Sequence, residues 1–232
     1  MIDNTQKNNK SDNAVRIKKN TSSAISDSVI KRLPRYHRFL SELKKAGVTR
    51  ISSRELSERM GVTASQIRQD LNCFGGFGQQ GYGYNIDILL FEITRILGLD
   101  KPKNTILIGM GNLGRAITMH INFETKGFRL LGLFDRKESL VGQMVKNLPI
   151  RSTDTIDEFC RENLPEAAIL CIPKDEAESI CDQLVKLGIK GFWNFSHYDL
   201  AVKYPDIKVE NVHFGDSLMT LSYRLESSRK EV

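Results

Sequence analysis

The stretch from residue 104 to residue 135 constrains the fold of this chain more than any other. An apolar run, Ile106-Leu107-Ile108, leads directly into the glycine-rich turn Gly109-Met110-Gly111-Asn112-Leu113-Gly114. A segment with helical spacing follows, and a second apolar run ends on Asp135. This is the dinucleotide-binding pattern, and all of its parts are present in the expected order: strand, glycine turn, helix, second strand and acid. The pattern predicts a parallel, doubly wound α/β domain of the Rossmann type.

Each glycine of the turn has a separate role in this pattern. Gly109 permits the tight turn, Gly111 lets the backbone approach a pyrophosphate, and Gly114 lets the helix pack closely on the strand. The phosphates are then expected at the amino end of the following helix, where free N–H groups and the helix dipole attract anions.

The acid at the end of the second strand predicts which dinucleotide binds. Asp135 is placed to accept hydrogen bonds from the adenosine ribose hydroxyls, and its charge repels a 2′-phosphate, so NAD is favoured over NADP. Arg136 weakens this preference, because an arginine attracts phosphate. A Rossmann-like domain that binds coenzyme A, or nothing, is the alternative. The predicted cofactor contacts are Gly109, Met110, Gly111, Asn112, Leu113, Gly114, Asp135, Arg136, Pro173, Asn194 and Phe195.

The rest of this domain alternates strand and helix patterns, which is typical of a parallel sheet with helices on both faces. Phe195 ends one predicted strand and is expected either to cover a nicotinamide ring or to be a core residue. Strands are predicted at 105–108, 129–134, 167–172, 191–195 and 208–214, and helices at 113–123, 155–162, 175–187 and 216–228.

The amino-terminal part of the chain has a different charge. Residues 28–84 carry ten Lys or Arg and four Asp or Glu, whereas residues 85–232 carry nineteen and twenty-one. A compact basic segment on a slightly acidic remainder is typical of a polyanion-binding domain, although a solvated basic face without a partner has the same charge.

Helical spacing begins at Ser28, and Pro34 is expected in the first turn of a helix that Gly47 ends. Ser52 and Glu55 then form a capping-box pattern that opens a second helix, which is expected to run to Met60.

A third helix opens at Thr63, with Gln66 three residues later, and runs to about Phe74. Gly61 separates it from the helix before, which completes a helix-turn-helix. The glycine-rich segment 75–84 predicts a β-hairpin wing at whose tip the backbone approaches another group closely. The unit is therefore expected to be a winged helix-turn-helix domain.

Early residues of the second helix in such a motif face base edges in the major groove. Arg68 suits guanine O6 and N7, Gln66 or Gln69 suits adenine, and the wing is expected in the minor groove. The alternative is a helix-turn-helix that only packs against protein. The predicted DNA contacts are Arg32, Arg35, Arg54, Thr63, Ser65, Gln66, Arg68, Gln69, Gln79, Gln80, Tyr82, Gly83 and Tyr84.

The four cysteines are scattered without metal-ligand spacing, so we expect no metal site and no disulfide framework. Cys73 is predicted to be a core cysteine, with a thiol sensor as the alternative. No apolar stretch approaches the roughly 18 residues of a membrane span, and the polar first residues do not form a secretory signal, which favours a cytoplasmic protein. The predicted organisation is a disordered tail (1–27), winged helix (28–85), connecting helix and hinge (86–103), Rossmann domain (104–214) and carboxyl-terminal helix (215–232).

As a set, these segments resemble the family of redox-sensing transcriptional repressors called Rex. The resemblance runs from about Val29 to the end, and its motifs are Lys31-Arg32-Leu33-Pro34-Arg35-Tyr36, Gln66-Ile67-Arg68-Gln69-Asp70-Leu71, Phe74-Gly75-Gly76-Phe77-Gly78, Gly81-Tyr82-Gly83-Tyr84-Asn85 and the turn from Gly109 to Gly114. It implies a homodimer in which each carboxyl-terminal helix is swapped between the two domains of the partner. It also implies a two-fold operator DNA that is released when NADH replaces NAD. A switch contact among Arg32, His120 and Asp216 is implied, with His120 where some relatives have tyrosine.

We therefore expect a DNA-binding repressor with no catalytic residues. The alternative is an NAD-dependent dehydrogenase with an amino-terminal accessory domain, but no histidine stands out as paired with an acid for general acid–base chemistry.

Overall fold

The computed structural model describes residues 25–75, 78–79 and 82–229. These residues divide into two compact units, with the boundary between Leu97 and Gly98. The tail predicted at 1–27 lies almost entirely outside the described residues.

The first unit is a winged helix. Strand β3 lies between β1 and β2 in an antiparallel sheet, with Ile51 opposite Tyr84 and Gly78 opposite Tyr84 on the other side. The elements in chain order are α1 (Asp27–Lys45), β1 (Arg50–Ile51), α2 (Ser53–Met60), α3 (Ala64–Asn72), β2 (Gly78–Gln79), β3 (Gly83–Asn85) and α4 (Ile86–Ile96).

Local caps place the two helices of the helix-turn-helix as predicted. The Ser52 hydroxyl accepts the backbone N–H of Glu55 at 3.1 Å, and Glu55 Oε2 accepts the backbone N–H of Ser52 at 2.8 Å, which completes the capping box. Thr63 caps α3 by accepting the backbone N–H of Gln66 at 3.1 Å. Helix α3 ends at Asn72, two residues before the predicted end.

Pro34 corrects one prediction, because it lies inside α1 and not in the first turn. The turns of α1 before it are held by burial, since Val29 and Leu33 are 8% and 0% exposed in the core. Tertiary packing therefore overrides the preference of proline for a helix start.

The second unit is the predicted doubly wound domain. Its seven strands lie in the order β10-β9-β8-β4-β5-β7-β6, and all neighbours are parallel except β6 and β7. The elements are β4 (Lys103–Ile108), α5 (Asn112–His120), β5 (Phe128–Asp135), β6 (Met144–Val145), β7 (Leu148–Ser152), α6 (Ile156–Asn163), β8 (Ala167–Leu170), α7 (Lys174–Lys186), β9 (Gly191–Asn194), α8 (Leu200–Lys203), β10 (Lys208–Asn211) and α9 (Phe214–Arg229).

Two apolar clusters cover the two faces of this sheet. Ile106 and Ile108 belong to one cluster and Leu107 to the other, which is the alternation that a strand imposes. The fold class expected from the alternating patterns is thus confirmed.

The hairpin of β6 and β7 and the short helix α8 were not predicted. A two-residue turn of Lys146 and Asn147, with φ of 46° and 65°, joins the two hairpin strands. These are primed-turn dihedrals, but the chain lacks the Asn-Gly or Asp-Gly pair that usually marks such a turn. A second difference is at Phe214, which begins α9 and does not end a strand.

The strand order fixes where a ligand crevice can form. From β4 the chain moves to β5 and β7 on one side, then crosses back through α6 to β8 on the other side of β4. The loops after β4 and β8 therefore diverge at a topological switch point, the usual ligand position in open α/β sheets.

Candidate functional site

A cavity of about 840 Å³ lies at this switch point. Of the predicted cofactor contacts, the structure brings Gly109, Gly111, Asp135, Arg136 and Pro173 together around it. The other lining residues are Ile108, Lys137, Leu140, Thr153, Cys171, Ile172, Asp175, Glu176, Ser179 and Ile180.

The three glycines of the turn differ in whether the fold leaves room for a side chain at their positions. Gly109 has φ +96°, and a Cβ there would lie 2.5 Å from the carbonyl oxygen of Cys171. A Cβ at Gly114 would lie 1.9 Å from the carbonyl oxygen of Gly109, so helix and strand fit only around glycine. A Cβ at Gly111 would meet no protein atom within 4 Å. The fold itself thus does not require glycine at position 111, which leaves the approach of a ligand as its reason.

Asp135 joins the second strand to the glycine turn. Its Oδ2 accepts the backbone N–H of Met110 at 2.6 Å, and its Oδ1 accepts the backbone N–H of Lys137 at 2.8 Å. An ionised carboxylate has about four acceptor positions, so positions remain for ribose hydroxyls. Asp135, which would bind the ribose, therefore also holds the glycine turn in place, and that turn would bind the pyrophosphate.

Arg136 is engaged by an acid from the other wall of the cavity. Its Nη2 lies 3.0 Å from Glu176 Oε1, which belongs to the first turn of α7. The Arg136 side chain is 71% exposed and that of Glu176 is 21% exposed. Arg136 is the cation that the sequence suggested for binding a 2′-phosphate, and Glu176 places a negative charge beside it.

The structure places Asn194 away from this cavity. Its side chain is fully buried, donates to the carbonyl oxygen of Tyr198 and to Asn211 Oδ1 at 2.8 Å each, and accepts two hydrogen bonds from Ser196. Three of these bonds hold the loop after β9 and the fourth joins β9 to β10, so the side chain has a structural role, and its cofactor contact stays a prediction.

Phe195 is 8% exposed and lies in an aromatic cluster, 4.8 Å from Trp193 and 5.9 Å from Phe214 between ring centroids. Four other predicted cofactor contacts belong to the glycine turn and the start of α5 but do not line the cavity: Met110, Asn112, Leu113 and Gly114.

The second wall of the cavity was not predicted from the sequence, except for Pro173. Cys171, Ile172 and Glu176 come from the loop after β8 and from α7. The rule that parallel strands end at one edge of a sheet would have pointed to this loop. Burial raises the pKa of the Cys171 thiol to about 12, so it lines the site as a neutral thiol.

The exposed face of α3 carries most of the predicted base contacts. Thr63, Ser65, Arg68 and Gln69 are exposed, and Arg68 Nη1 donates to Ser53 Oγ at 3.1 Å. Arg35 and Arg54 are also exposed, and Arg54 lies 3.4 Å from Glu58.

Beneath this face lies a carboxylate that the sequence analysis did not single out. Asp70 is 0% exposed and accepts hydrogen bonds from Arg32 Nε and Nη2 at 2.7 Å, from Tyr36 Oη at 2.8 Å and from Gln66 Nε2 at 2.8 Å. Burial would raise the pKa of Asp70, but the bonds from Arg32, Gln66 and Tyr36 outweigh it, so the pKa is lowered and Asp70 is ionised.

The wing is formed, and its residues separate into exposed and buried ones. Tyr82 is 71% exposed, whereas Tyr84 is 7% exposed and belongs to the core cluster of the first unit, so the Tyr84 side chain packs the wing against that core. Gly83 has φ +68°, and a Cβ there would lie 2.6 Å from the carbonyl oxygen of Ile51. At Gly83, in β3, the backbone thus approaches the neighbouring strand closely, whereas the wing tip, where a close approach was predicted, lies outside the described residues. The Gln79 side chain and all of Gln80 lie outside the described residues.

The three predicted switch residues lie in different places. Arg32 belongs to the first unit and is held by Asp70. His120 is exposed at the end of α5, and it lines a second, largely apolar cavity of about 930 Å³. Asp216 lies 3.6 Å from His213 Nδ1. The switch contact stays a prediction.

Cys73 is exposed and not a core cysteine as predicted, because it follows α3 on the surface. Among the described residues, no cluster of three or more His, Cys, Asp or Glu is placed to hold a metal ion. Within the same ranges, no helix has the length and apolarity to cross a lipid bilayer.

Comparisons with known proteins agree with both units. The family model "Putative DNA-binding protein N-terminus" matches residues 24–72, and the model "CoA binding domain" matches residues 100–198. The crystal structure of RSP in complex with β-NAD+ and operator DNA is 55% identical, with a TM-score of 0.83 over 90% of this chain and 95% of that one. RSP in complex with β-NADH is 52% identical, with a TM-score of 0.81 over 90% and 97%.

Two curated relatives carry the same name. The redox-sensing transcriptional repressor Rex of Thermoanaerobacter sp. (strain X514) is 57% identical over 201 residues, covering 87% of this chain and 89% of the relative. That of Clostridium acetobutylicum is 51% identical over 206 residues, covering 89% and 96%. At this identity and coverage, the chain belongs to the Rex family of redox-sensing transcriptional repressors.

Proposed function

We propose that this protein binds operator DNA through its winged helix, binds NAD or NADH in the crevice between β4 and β8, and leaves the operator when NADH replaces NAD. The observation that carries the proposal is that one chain contains both a switch-point cavity lined by Gly109, Gly111 and Asp135 and an exposed helix-turn-helix face. A relative of 55% identity has been solved with β-NAD+ and operator DNA together.

The physical basis of the response is linkage between two ligands. If NADH binds one geometry of the protein better and operator binds another better, each ligand lowers the affinity of the other by the same factor. A ligand with equal affinity for both geometries shifts nothing. Redox sensing therefore requires that NADH and NAD differ in this preference.

We propose a regulator and not an enzyme. The relatives are named transcriptional repressors, and the cavity lining contains no histidine. His213 lies beside Asp216, but their separation of 3.6 Å is too long for a hydrogen bond, and neither residue lines the cavity.

Coenzyme A is disfavoured as the ligand, although one family model carries its name. Coenzyme A has a phosphate on its adenosine ribose, and Asp135 places a carboxylate where that ribose would lie. NAD and NADH have free hydroxyls there, which a carboxylate can bind.

We also propose that the protein is a homodimer through α9, as the resemblance implies, and that it acts in the cytoplasm, where bacterial operators lie. Helix α9 has no buried residue, and six of its large apolar side chains are 52–74% exposed. An apolar surface of this kind marks a protein interface. A two-fold operator would match the two-fold symmetry of such a dimer.

The test is a titration of NADH and of NAD against protein bound to an operator duplex, followed by fluorescence anisotropy. We expect NADH to release the duplex at concentrations where NAD does not. Equal release by both dinucleotides would contradict redox sensing, and hydride transfer to carbonyl substrates would support the dehydrogenase alternative.

A further inference from the structure

Gln66 is a half-buried residue of α3, next to the exposed Ser65, and its side-chain amide is tied to a buried carboxylate. Gln66 Nε2 donates to Asp70 Oδ1 at 2.8 Å, one helical turn further along. Because an ionised carboxylate only accepts hydrogen bonds, the amide nitrogen of Gln66 must face Asp70 and the amide oxygen must point away. The chemistry of the partner thus fixes which way round the amide lies.

Asp70 is itself immobilised by α1. The Arg32 guanidinium donates to both carboxylate oxygens at 2.7 Å, and the Tyr36 hydroxyl donates at 2.8 Å. Such a paired, planar contact adds geometric specificity to the ion pair. Arg32 also cancels the charge of Asp70, so a carboxylate can lie beneath a DNA-facing helix without repelling phosphates.

Because the amide is fixed, its oxygen is available to a base as an acceptor and its second N–H as a donor, and the two cannot exchange positions. Oε1 and the second N–H of Nε2 complement the N6 donor and N7 acceptor of adenine, whereas guanine offers two acceptors at this edge. A glutamine that is free to rotate can present either group to either atom, but Gln66 cannot turn over without losing its bond to Asp70.

We propose that Asp70 is a positioning residue that holds Gln66 as an adenine reader, which makes the Asp70–Gln66 pair a determinant of operator specificity. The proposal rests on the operator binding proposed above. It goes further in choosing Gln66 over Gln69, and in assigning a role in base recognition to a residue that DNA cannot touch.

Gln69 provides a matched control on the same helix. It is exposed, and its side chain makes no hydrogen bond to another residue that the structure describes. Its amide is therefore free to rotate, and Gln69→Ala removes a glutamine from the same surface without disturbing Asp70.

The first experiment uses a duplex selected from a random library by the unchanged protein. Each adenine is replaced in turn by 7-deazaadenine, which lacks N7, or by purine, which lacks the N6 amino group. At one adenine per half-site we expect both analogues to weaken binding roughly tenfold or more, the scale of a bidentate base contact. Gln66→Ala should bind these analogues and adenine equally at that position, and Gln69→Ala should behave there as the unchanged protein.

The second experiment separates positioning from a purely structural role. Asp70→Asn should lose most of the preference for A·T over G·C at that one pair, as Gln66→Ala does. Tyr36→Phe removes one of the four hydrogen bonds to the same carboxylate and leaves Gln66 and Arg32 in place, so it should keep the preference. If Asp70→Asn does not fold, NMR of the unchanged protein still tests the anchor, because one Gln66 amide proton should exchange with solvent much more slowly than those of Gln69.

Three results would overturn the proposal: equal losses at every base pair in a folded Asp70→Asn protein, adenine preference that survives Gln66→Ala, or equal exchange of the Gln66 and Gln69 amide protons. Failure of the unchanged protein to select any duplex would instead contradict the proposed function itself.

Discussion

At the scale of single residues, Gly111 and Gly114 differ in why a side chain would be harmful: at Gly111 it would enter the proposed ligand space, and at Gly114 it would collide with the protein backbone. Gly111→Ala adds a Cβ that meets no protein atom, at an ordinary φ of −68°. We expect an unchanged melting temperature and an NADH affinity lowered at least about tenfold, equivalent to about 1.4 kcal/mol, because the methyl group occupies pyrophosphate space. Calorimetric titration and thermal unfolding measure the two quantities.

Gly114→Ala is the matched control, since its Cβ would lie 1.9 Å from the carbonyl oxygen of Gly109. Its melting temperature should fall because helix α5 must move off the sheet. Loss of stability in Gly111→Ala would show that the fold requires that glycine.

The ion pair between Arg136 and Glu176 makes a second prediction at this scale. Glu176→Gln frees Arg136 from its carboxylate, so we expect the affinity for NADPH to rise several-fold relative to that for NADH. Asp175→Asn removes the same charge from the neighbouring position of α7, where no ion pair to a described residue exists, and should leave the ratio nearly unchanged. Fluorescence titration with both reduced dinucleotides gives the ratio, and equal effects of the two variants would argue against a specific role of the ion pair.

A site residue could be predicted from the sequence when its role depends on its neighbours in the chain, and not when it depends on contacts made by folding. Gly109, Gly111 and Asp135 follow from a contiguous pattern, and the structure gathers them at one cavity. Asp70 could not be found in this way, because its ion-pair partner Arg32 is 38 positions away in the chain, and only the fold of the first unit brings the two side chains together. The burial of Tyr84 could not be predicted either, since an aromatic residue in a wing pattern gives no sign of which face it will occupy.

At the scale of elements, the caps of the helix-turn-helix allow a stability prediction. Ser52→Ala removes the hydroxyl that accepts the Glu55 backbone N–H, and we expect it to destabilise the first unit by about 1 kcal/mol. Ser57→Ala is the control, because Ser57 lies inside α2, where alanine is a better helix former. Urea unfolding of both variants measures the difference, and equal stabilities would mean that the capping box contributes little.

Elements were predictable where the sequence carries local start and stop signals. Helix α2 has both, in Ser52 and Gly61, and its observed end at Met60 is the predicted one. The β6–β7 hairpin has neither, because its turn uses Lys146 and Asn147 and one of its strands contains Pro149. Its strands form because the sheet edge at β5 is available for pairing, which is a tertiary cause that no local pattern records.

At the scale of the whole molecule, α9 determines the proposed assembly. Leu218, Leu221 and Leu225 recur at helical spacing and are 52–67% exposed, so a charge among them costs the fold of the single chain little. In the proposed dimer these side chains would be buried against the partner. Leu218→Glu should therefore weaken the dimer by at least about 1.5 kcal/mol, more than tenfold in its dissociation constant.

Thr220→Glu introduces the same charge on a different face of α9, and this control should remain dimeric. Light scattering coupled to gel filtration gives the mass of both variants over a range of concentrations. Because a two-fold operator needs two reading heads at fixed spacing, the Leu218→Glu monomer should also bind a full operator little better than a half-site. A Leu218→Glu protein that stays dimeric and binds the full operator normally would place the dimer interface elsewhere than on α9.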